Sequence, residues 1–217
     1  MNISNPNLLY IPPKVAILDD DNELISDLTS CMDINIDLVG FNNVDKLISN
    51  INLQYNKFIK SLFHFFQCAQ DKASKQTIHQ SFQSIVNNPP FSVALVDLNI
   101  RQHHKDEGYE ICELLIPYQT KTLIYSGSEF SELSLKLINQ GVLSGQLNKS
   151  NDLFEELIPT IMGLHISFLN MHYNFSHLAI LSGADFEYLN NIEGSTPSKN
   201  DHIPYIVYDQ NFNFLTA

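Results

Sequence analysis

Positive charge is what this 217-residue chain has least of: 12 Lys and Arg face 24 Asp and Glu, a formal charge of −12. A surface so negative repels phosphate backbones and anionic membranes, so direct nucleic-acid contact and membrane binding are not expected. Cysteine is sparse as well. Cys31, Cys68 and Cys112 stand far apart, form no CxxC pair and have no histidine at zinc-ligand spacing. That excludes a disulfide scaffold and a structural zinc site. Long apolar runs are missing too, since polar residues interrupt even Ile158–Leu181, and no segment reads as a membrane span. The opening MNISNPNLLYIPPK lacks the basic and apolar regions of a signal peptide. A soluble, reduced, cytoplasmic protein is expected. At 44% hydrophobic residues and this length, it can bury a core without staples.

What is present alternates. Lys14–Leu18, Ile36–Phe41, Phe91–Val96, Thr122–Tyr125 and Val142–Leu147 read as short apolar strands. Helical patterns fill the gaps at Asn22–Cys31, Tyr109–Leu115 and Ser131–Gln140, with a long one from Asn151. Strands apolar on both faces, separated by helices, are the signature of an α/β fold with a buried parallel sheet.

The strand ends carry the chemistry. The first stops at Asp19-Asp20-Asp21, the third at Asp97, the fourth at Ser126-Gly127-Ser128 and the fifth just before Lys149. In an open α/β sheet, ligands bind outside the carboxyl ends of the strands. Carboxylates crowded there repel one another unless a hard cation lies between them, and Mg²⁺ suits one or two carboxylates with waters and phosphate oxygens. At least one of their pKa values is expected to be raised without metal. A lysine and a hydroxyl nearby would hold phosphoryl oxygens, which together makes an aspartyl-phosphate site. Each piece alone has a plainer reading. Acids opening a helix often only complement its dipole, Lys149 could be a solvated lysine and Ser126 a turn residue. The joint occurrence at four strand ends favours a site.

KVAILDDDNEL, VALVDLNI, TLIYSGS and GVLSGQLNK, with Gly108 in DEGYEIC, resemble the receiver domain of bacterial two-component response regulators. The resemblance covers roughly residues 14–158. It implies a flavodoxin-like (CheY-like), doubly wound, five-stranded parallel sheet. It also implies Asp97 as phosphoacceptor and Mg²⁺ on Asp19, Asp20, Asp97 and the Asn99 backbone carbonyl. Ser126 and Lys149 would bind phosphoryl oxygens, and Gly127 would leave them room. The implied partner is a sensor histidine kinase or phosphotransfer protein. The chain would be a signalling phosphoacceptor, catalysing at most its own phosphorylation and dephosphorylation.

Three departures stand out. Seventy-six residues separate Asp20 from Asp97, roughly thirty more than one strand-helix-strand passage needs and more than a loop explains. Val44, Leu47, Ile48, Ile51, Tyr55, Phe58, Ile59, Leu62, Phe63 and Phe66 keep a helical period, and Thr77–Val86 reads as a second helix. A helical insertion at about 49–88 is expected. Ser150 follows Lys149 where the family usually has a cis proline, and a cis bond there would cost about 2.5–4 kcal/mol, so a trans bond is expected. Gln146 stands where the family has an aromatic switch residue, which puts the usual activation relay in doubt.

Residues 1–13 read as an N-terminal arm, 159–183 as an extended helix and 184–217 as a linker opening an output domain. Leu157, Ile161, Leu164, Phe168, Met171, Phe175 and Leu178 form an apolar seam at heptad spacing. It outruns what a receiver covers, so a homodimer through this helix is expected, with Pro159 kinking it and Gly183 ending it. Tyr205–Tyr208 and Phe212–Leu215 read as a hairpin, and PYIVYDQNFNFLTA resembles the start of a PAS module. His103-His104 read as loop residues rather than ligands. The alternative function is a phosphorylation-independent adaptor that docks a partner through the inserted helices.

Overall fold

The computed structural model describes residues 7–10, 12–32, 36–71, 73–100, 107–173, 179–181 and 203–208. In chain order the strands are β1 (Asn7–Tyr10), β2 (Lys14–Leu18), β3 (Asp37–Phe41), β4 (Phe91–Val96), β5 (Lys121–Ser126), β6 (Gly145–Asn148), β7 (Ala179–Leu181) and β8 (Ile203–Tyr208). The helices are α1 (Asn22–Cys31), α2 (Val44–Gln70), α3 (Lys75–Val86), α4 (Glu107–Leu115), α5 (Glu132–Asn139) and α6 (Ile158–Tyr173). The chain divides into two compact units, one of them Pro12–Phe168.

Pro12–Phe168 contains a five-stranded sheet in the order β3-β2-β4-β5-β6, and every neighbouring pair is parallel. Alternation along each strand splits the core in two. Ala16, Leu18, Ala94 and Val96 face Leu47 and Ile51 of α2, Cys112 and Leu115 of α4, and Leu137 of α5. Val15, Ile17, Val93 and Leu95 face Leu28 of α1 and Ile161 of α6. Helices on both faces bury all six residues of β4, five of them apolar, as a central parallel strand requires. The expected doubly wound α/β fold is what forms.

The surplus between β3 and β4 is an α-hairpin. At about 1.5 Å per residue, the 27 residues of α2 span roughly 40 Å. Phe65 of α2 packs on Phe82 of α3 at 5.2 Å between ring centroids, and Tyr55 meets Tyr118, after α4, at 5.9 Å. Phe58 is stacked on Phe168 of α6, and both are buried. The expectation that Phe168 lies on an open dimer face is therefore corrected: the same chain covers it. Met171 is exposed, whereas Phe175 and Leu178 lie outside the described residues.

Other boundaries differ from the periodicity for local reasons. Val142 and Leu143 belong to a turn rather than to β6, because their N–H groups close the end of α5 on the Leu137 carbonyl, with Gly141 at φ +74. The helix expected from Asn151 opens with a π turn at Leu153–Leu157. Pro159 lies two residues beyond it and has no N–H for the carbonyl four residues back. The reading of a helix continuing to Gly183 is also corrected. α6 is described as far as Tyr173, and Ala179–Leu181 is a strand.

The second unit holds a three-stranded antiparallel sheet ordered β1-β8-β7. Pairing with β8 gives Ala179–Leu181 a use for its backbone groups that the helical periodicity did not reveal. The arm at 1–13 likewise contains a strand, paired with β8 at Asn7↔Tyr208. Phe212–Leu215 lies outside the described residues.

Candidate functional site

The sheet register carries the predicted residues to one edge. Asp19 follows β2, Asp97 follows β4, Ser126 ends β5 and Lys149 follows β6. Backbone bonds hold the ends level: Asp19 N–H donates to the Phe41 carbonyl, Asp97 N–H to Leu18 and Lys149 N–H to Ser126. Asp19, Asp97 and Ser126 are buried, whereas Asp20 is exposed.

Lys149 is the centre of this group. Its Nζ lies 2.6 Å from Asp19 Oδ2 and 3.1 Å from Asp97 Oδ1. The remaining carboxylate oxygens take backbone donors. Asp21 N–H donates to Asp19 Oδ1 at 2.9 Å, and Asn99 N–H to Asp97 Oδ2 at 3.1 Å. Burial pushes the Asp19 carboxyl above its ordinary 3.8, against the downward pull of Lys149 and the Asp21 N–H, while the nearby Asp97 charge adds a smaller push. The raised acid foreseen from repulsion is thus raised mainly by burial. Burial alone would lower the Lys149 ammonium, but its contacts with Asp19 and Asp97 outweigh that and raise it.

One carboxylate oxygen each from Asp19, Asp20 and Asp97 lies within 4.8 Å of the others. All are hard oxygen donors, and one is open to water, a donor set that fits Mg²⁺ better than a softer metal. Asp21 is not part of it. Its Oδ1 accepts from the Glu23 and Leu24 N–H groups and caps α1, so the plainer reading of the acidic run holds for its third member.

Two glycines shape the surroundings. A Cβ on Gly108 would come within 2.3 Å of the Asp97 carbonyl oxygen, so α4 can start against β4 only with glycine there. A Cβ on Gly127 would meet nothing within 4 Å, which leaves open space beside Ser126. The Lys149–Ser150 bond is trans, as no cis peptide occurs among the described residues. His103 and His104 lie outside them.

Sequence reasoning missed a second polar group beside the first. Gln146, read only as the loss of an aromatic residue, contacts Ser134 of α5 and the loop after Ser126. Ser134 also contacts the Tyr109 hydroxyl. The serines of SGSEFSELS were the available signal, because a glutamine beside several hydroxyls is a ready hydrogen-bond partner.

No family model matches the chain, and no curated protein matches it. Among solved structures, the Legionella pneumophila response regulator LqsR is similar over 99% of this chain and 67% of its own, at 16% identity and TM-score 0.56. An adenylate cyclase from Rhodopirellula baltica is similar over 75% of this chain and 94% of its own, at 15% identity and TM-score 0.51. At such identities the likeness is one of fold. The fold is the one found in response-regulator receiver domains.

Proposed function

We propose that this receiver-like chain accepts a phosphoryl group on Asp97 from the phosphohistidine of a sensor histidine kinase or phosphotransfer protein. The observation that carries the reading is Lys149 Nζ bridging Asp19 and Asp97 at the ends of β2 and β4, with Ser126 ending the neighbouring β5. In the transfer, an Asp97 carboxylate oxygen bonds to phosphorus as the bond from phosphorus to the histidine nitrogen breaks, and the donor's imidazole leaves with that electron pair. Lys149 supplies a positive charge to a phosphoryl oxygen, and Ser126 Oγ a hydrogen-bond donor to another. The space beside Gly127 admits the group. Mg²⁺ would be held by Asp19, Asp20, Asp97 and the Asn99 carbonyl, and when bound it supplies charge that offsets the phosphoryl oxygens. The chain is then a cytoplasmic signalling component rather than a metabolic enzyme. Its output is a changed partner contact or changed self-association, and it makes no direct contact with nucleic acid or membrane.

Acetyl phosphate or beryllofluoride with Mg²⁺, read by intact mass and NMR respectively, tests this. Uptake that disappears in Asp97→Asn supports the reading. Absence of any uptake or magnesium response favours the second reading, a constitutive adaptor. One observation speaks for that second reading: Ile59 and Phe63, one turn apart on α2, are exposed, Phe63 by 71%. A Phe63→Asp variant that takes up phosphate normally but loses its partner would assign docking to the inserted hairpin.

A further inference from the structure

The hydrogen bonds around Gln146 run in one direction only. The two partners on one end of its amide are the Ser128 and Glu129 carbonyls, at 3.2 and 3.3 Å. Carbonyls only accept, so that end is the NH₂ group and the other is Oε1. Oε1 accepts from Ser134 Oγ at 2.6 Å. Ser134 has a single hydroxyl proton, spent on that bond, so the Tyr109 hydroxyl at 2.5 Å must donate to Ser134. Ser131 Oγ accepts the Ser134 N–H at 3.1 Å and has two acceptors for its own proton, the Tyr109 oxygen at 2.9 Å and Ser134 Oγ at 3.0 Å. Protons thus point from Tyr109 through Ser134 to Gln146, and from Gln146 to the loop. Ser134 and Tyr109 are buried, where an unmade bond is costly, so water does not readily substitute.

We infer that Gln146 is a latch on the loop between β5 and α5. Its amide holds the Ser128 and Glu129 carbonyls, and the buried hydroxyls behind it fix which way the amide points. The loop cannot leave its place without breaking both carbonyl bonds. Its position bears on Ser126, because Ser128 N–H reaches Ser126 Oγ at 3.4 Å. The exposed Phe130 rides on the same loop. The regulatory consequence rests on the phosphoacceptor reading. A phosphoryl group on Asp97 that draws Ser126 toward it pulls against the latch, and releasing the latch frees both the loop and the start of α5. The polar chain thereby joins the ends of β5 and β6 to α4 and α5 without an aromatic switch residue.

The test uses the full chain and first needs no phosphoryl donor. Gln146→Glu keeps an oxygen for the Ser134 hydroxyl but loses both donors to the loop. It should speed amide hydrogen exchange across residues 127–131 about tenfold, the factor that roughly one net hydrogen bond is worth, while exchange in β2 and β4 stays unchanged. Ser134→Ala, which leaves Oε1 without its donor, should give a smaller rise at the same residues and keeps the test open should the first variant fold poorly. Equal loop exchange in the unmodified chain and a folded variant overturns the latch. Beryllofluoride with Mg²⁺ is the second arm. The unmodified chain should reach the loop exchange of Gln146→Glu, and Gln146→Glu should half-saturate at lower beryllofluoride. If the fluoride complex binds without loosening the loop, release of the latch by a phosphoryl group is overturned. If it does not bind while Gln146→Glu still exchanges faster, the phosphoacceptor reading fails and the latch stands.

Discussion

Phe58 and Phe168 stack with ring centroids 6.2 Å apart and planes tilted by 41°, although their helices cover opposite faces of the sheet. Side chains from opposite faces can meet only past the sheet's edge. Both helices return from carboxyl strand ends, so the contact lies at the amino edge, and each overhang buries the other. Phe168→Ala should therefore cost about 3–5 kcal/mol of stability, as large core truncations do. Phe168→Glu should unfold the chain rather than release a folded monomer. Urea midpoints and sedimentation velocity decide it, since a well-folded monomeric Phe168→Glu protein would return Phe168 to a dimer interface.

Gly108 and Gly127 should respond oppositely to the same substitution. Gly108→Ala sets a Cβ within 2.3 Å of the Asp97 carbonyl oxygen, and backbone must shift to admit it. A loss of about 1–3 kcal/mol is expected, together with displaced NMR signals at Asp97. Gly127→Ala finds open space and should change stability by no more than about 0.5 kcal/mol. Denaturation of the two variants side by side checks both, and a neutral Gly108→Ala would mean that α4 does not start where it is described.

The same contrast between local pattern and tertiary partner decides what could be read in advance. The strands and the placing of Asp19, Asp97, Ser126 and Lys149 at their ends were readable, because apolar runs that stop at polar residues are a local signal. Lys149 lying between two carboxylates was not, since that depends on where β6 joins the sheet. Phe168 carried a helical period that fits either a dimer seam or a core. Only the path of α2 separates them. Ala179–Leu181 continued that period and still became a strand, because β8 offers it backbone partners. Gln146 was recognisable as a departure, but the buried hydroxyls that give it a role come from α4 and α5, elements far from it in sequence.

Stability should depend on pH through Asp19 and Lys149. The folded chain holds the Asp19 proton above the ordinary 3.8, so in the window between 3.8 and the raised value the folded state binds more protons than the unfolded state. Stability from this group then falls as pH rises through that window and levels off above it. Asp19→Asn removes the fall. Lys149 is raised above 10.5, so its contribution is fully present below that value and is lost as pH climbs through the folded value. Urea midpoints in metal-free buffer from pH 3 to 7, and again from pH 9.5 to 12, read both limbs. An acid limb unchanged by Asp19→Asn would show that Asp19 does not titrate as described.

Divalent metal should act on this fold by mass action, since carboxylates gathered by folding bind it better than an unfolded chain does. At a hundredfold excess of Mg²⁺ over its Kd the gain would be about 2.7 kcal/mol, enough to raise the melting temperature by several degrees. Asp20→Ala should abolish the response with little effect on stability in chelator, because Asp20 is exposed and its loss opens no cavity. Asp21→Ala is the instructive counterpart. Asp21 belongs to the same acidic run, but its Oδ1 caps α1 through the Glu23 and Leu24 N–H groups. That variant should lose about 1 kcal/mol with or without metal and keep the full magnesium increment. A proximity effect of negative charge alone would weaken the response in both variants. A response lost in Asp20→Ala and intact in Asp21→Ala assigns it to the pocket formed by Asp19, Asp20 and Asp97, and a melting temperature indifferent to millimolar Mg²⁺ in the unmodified chain would remove the metal from the proposed chemistry.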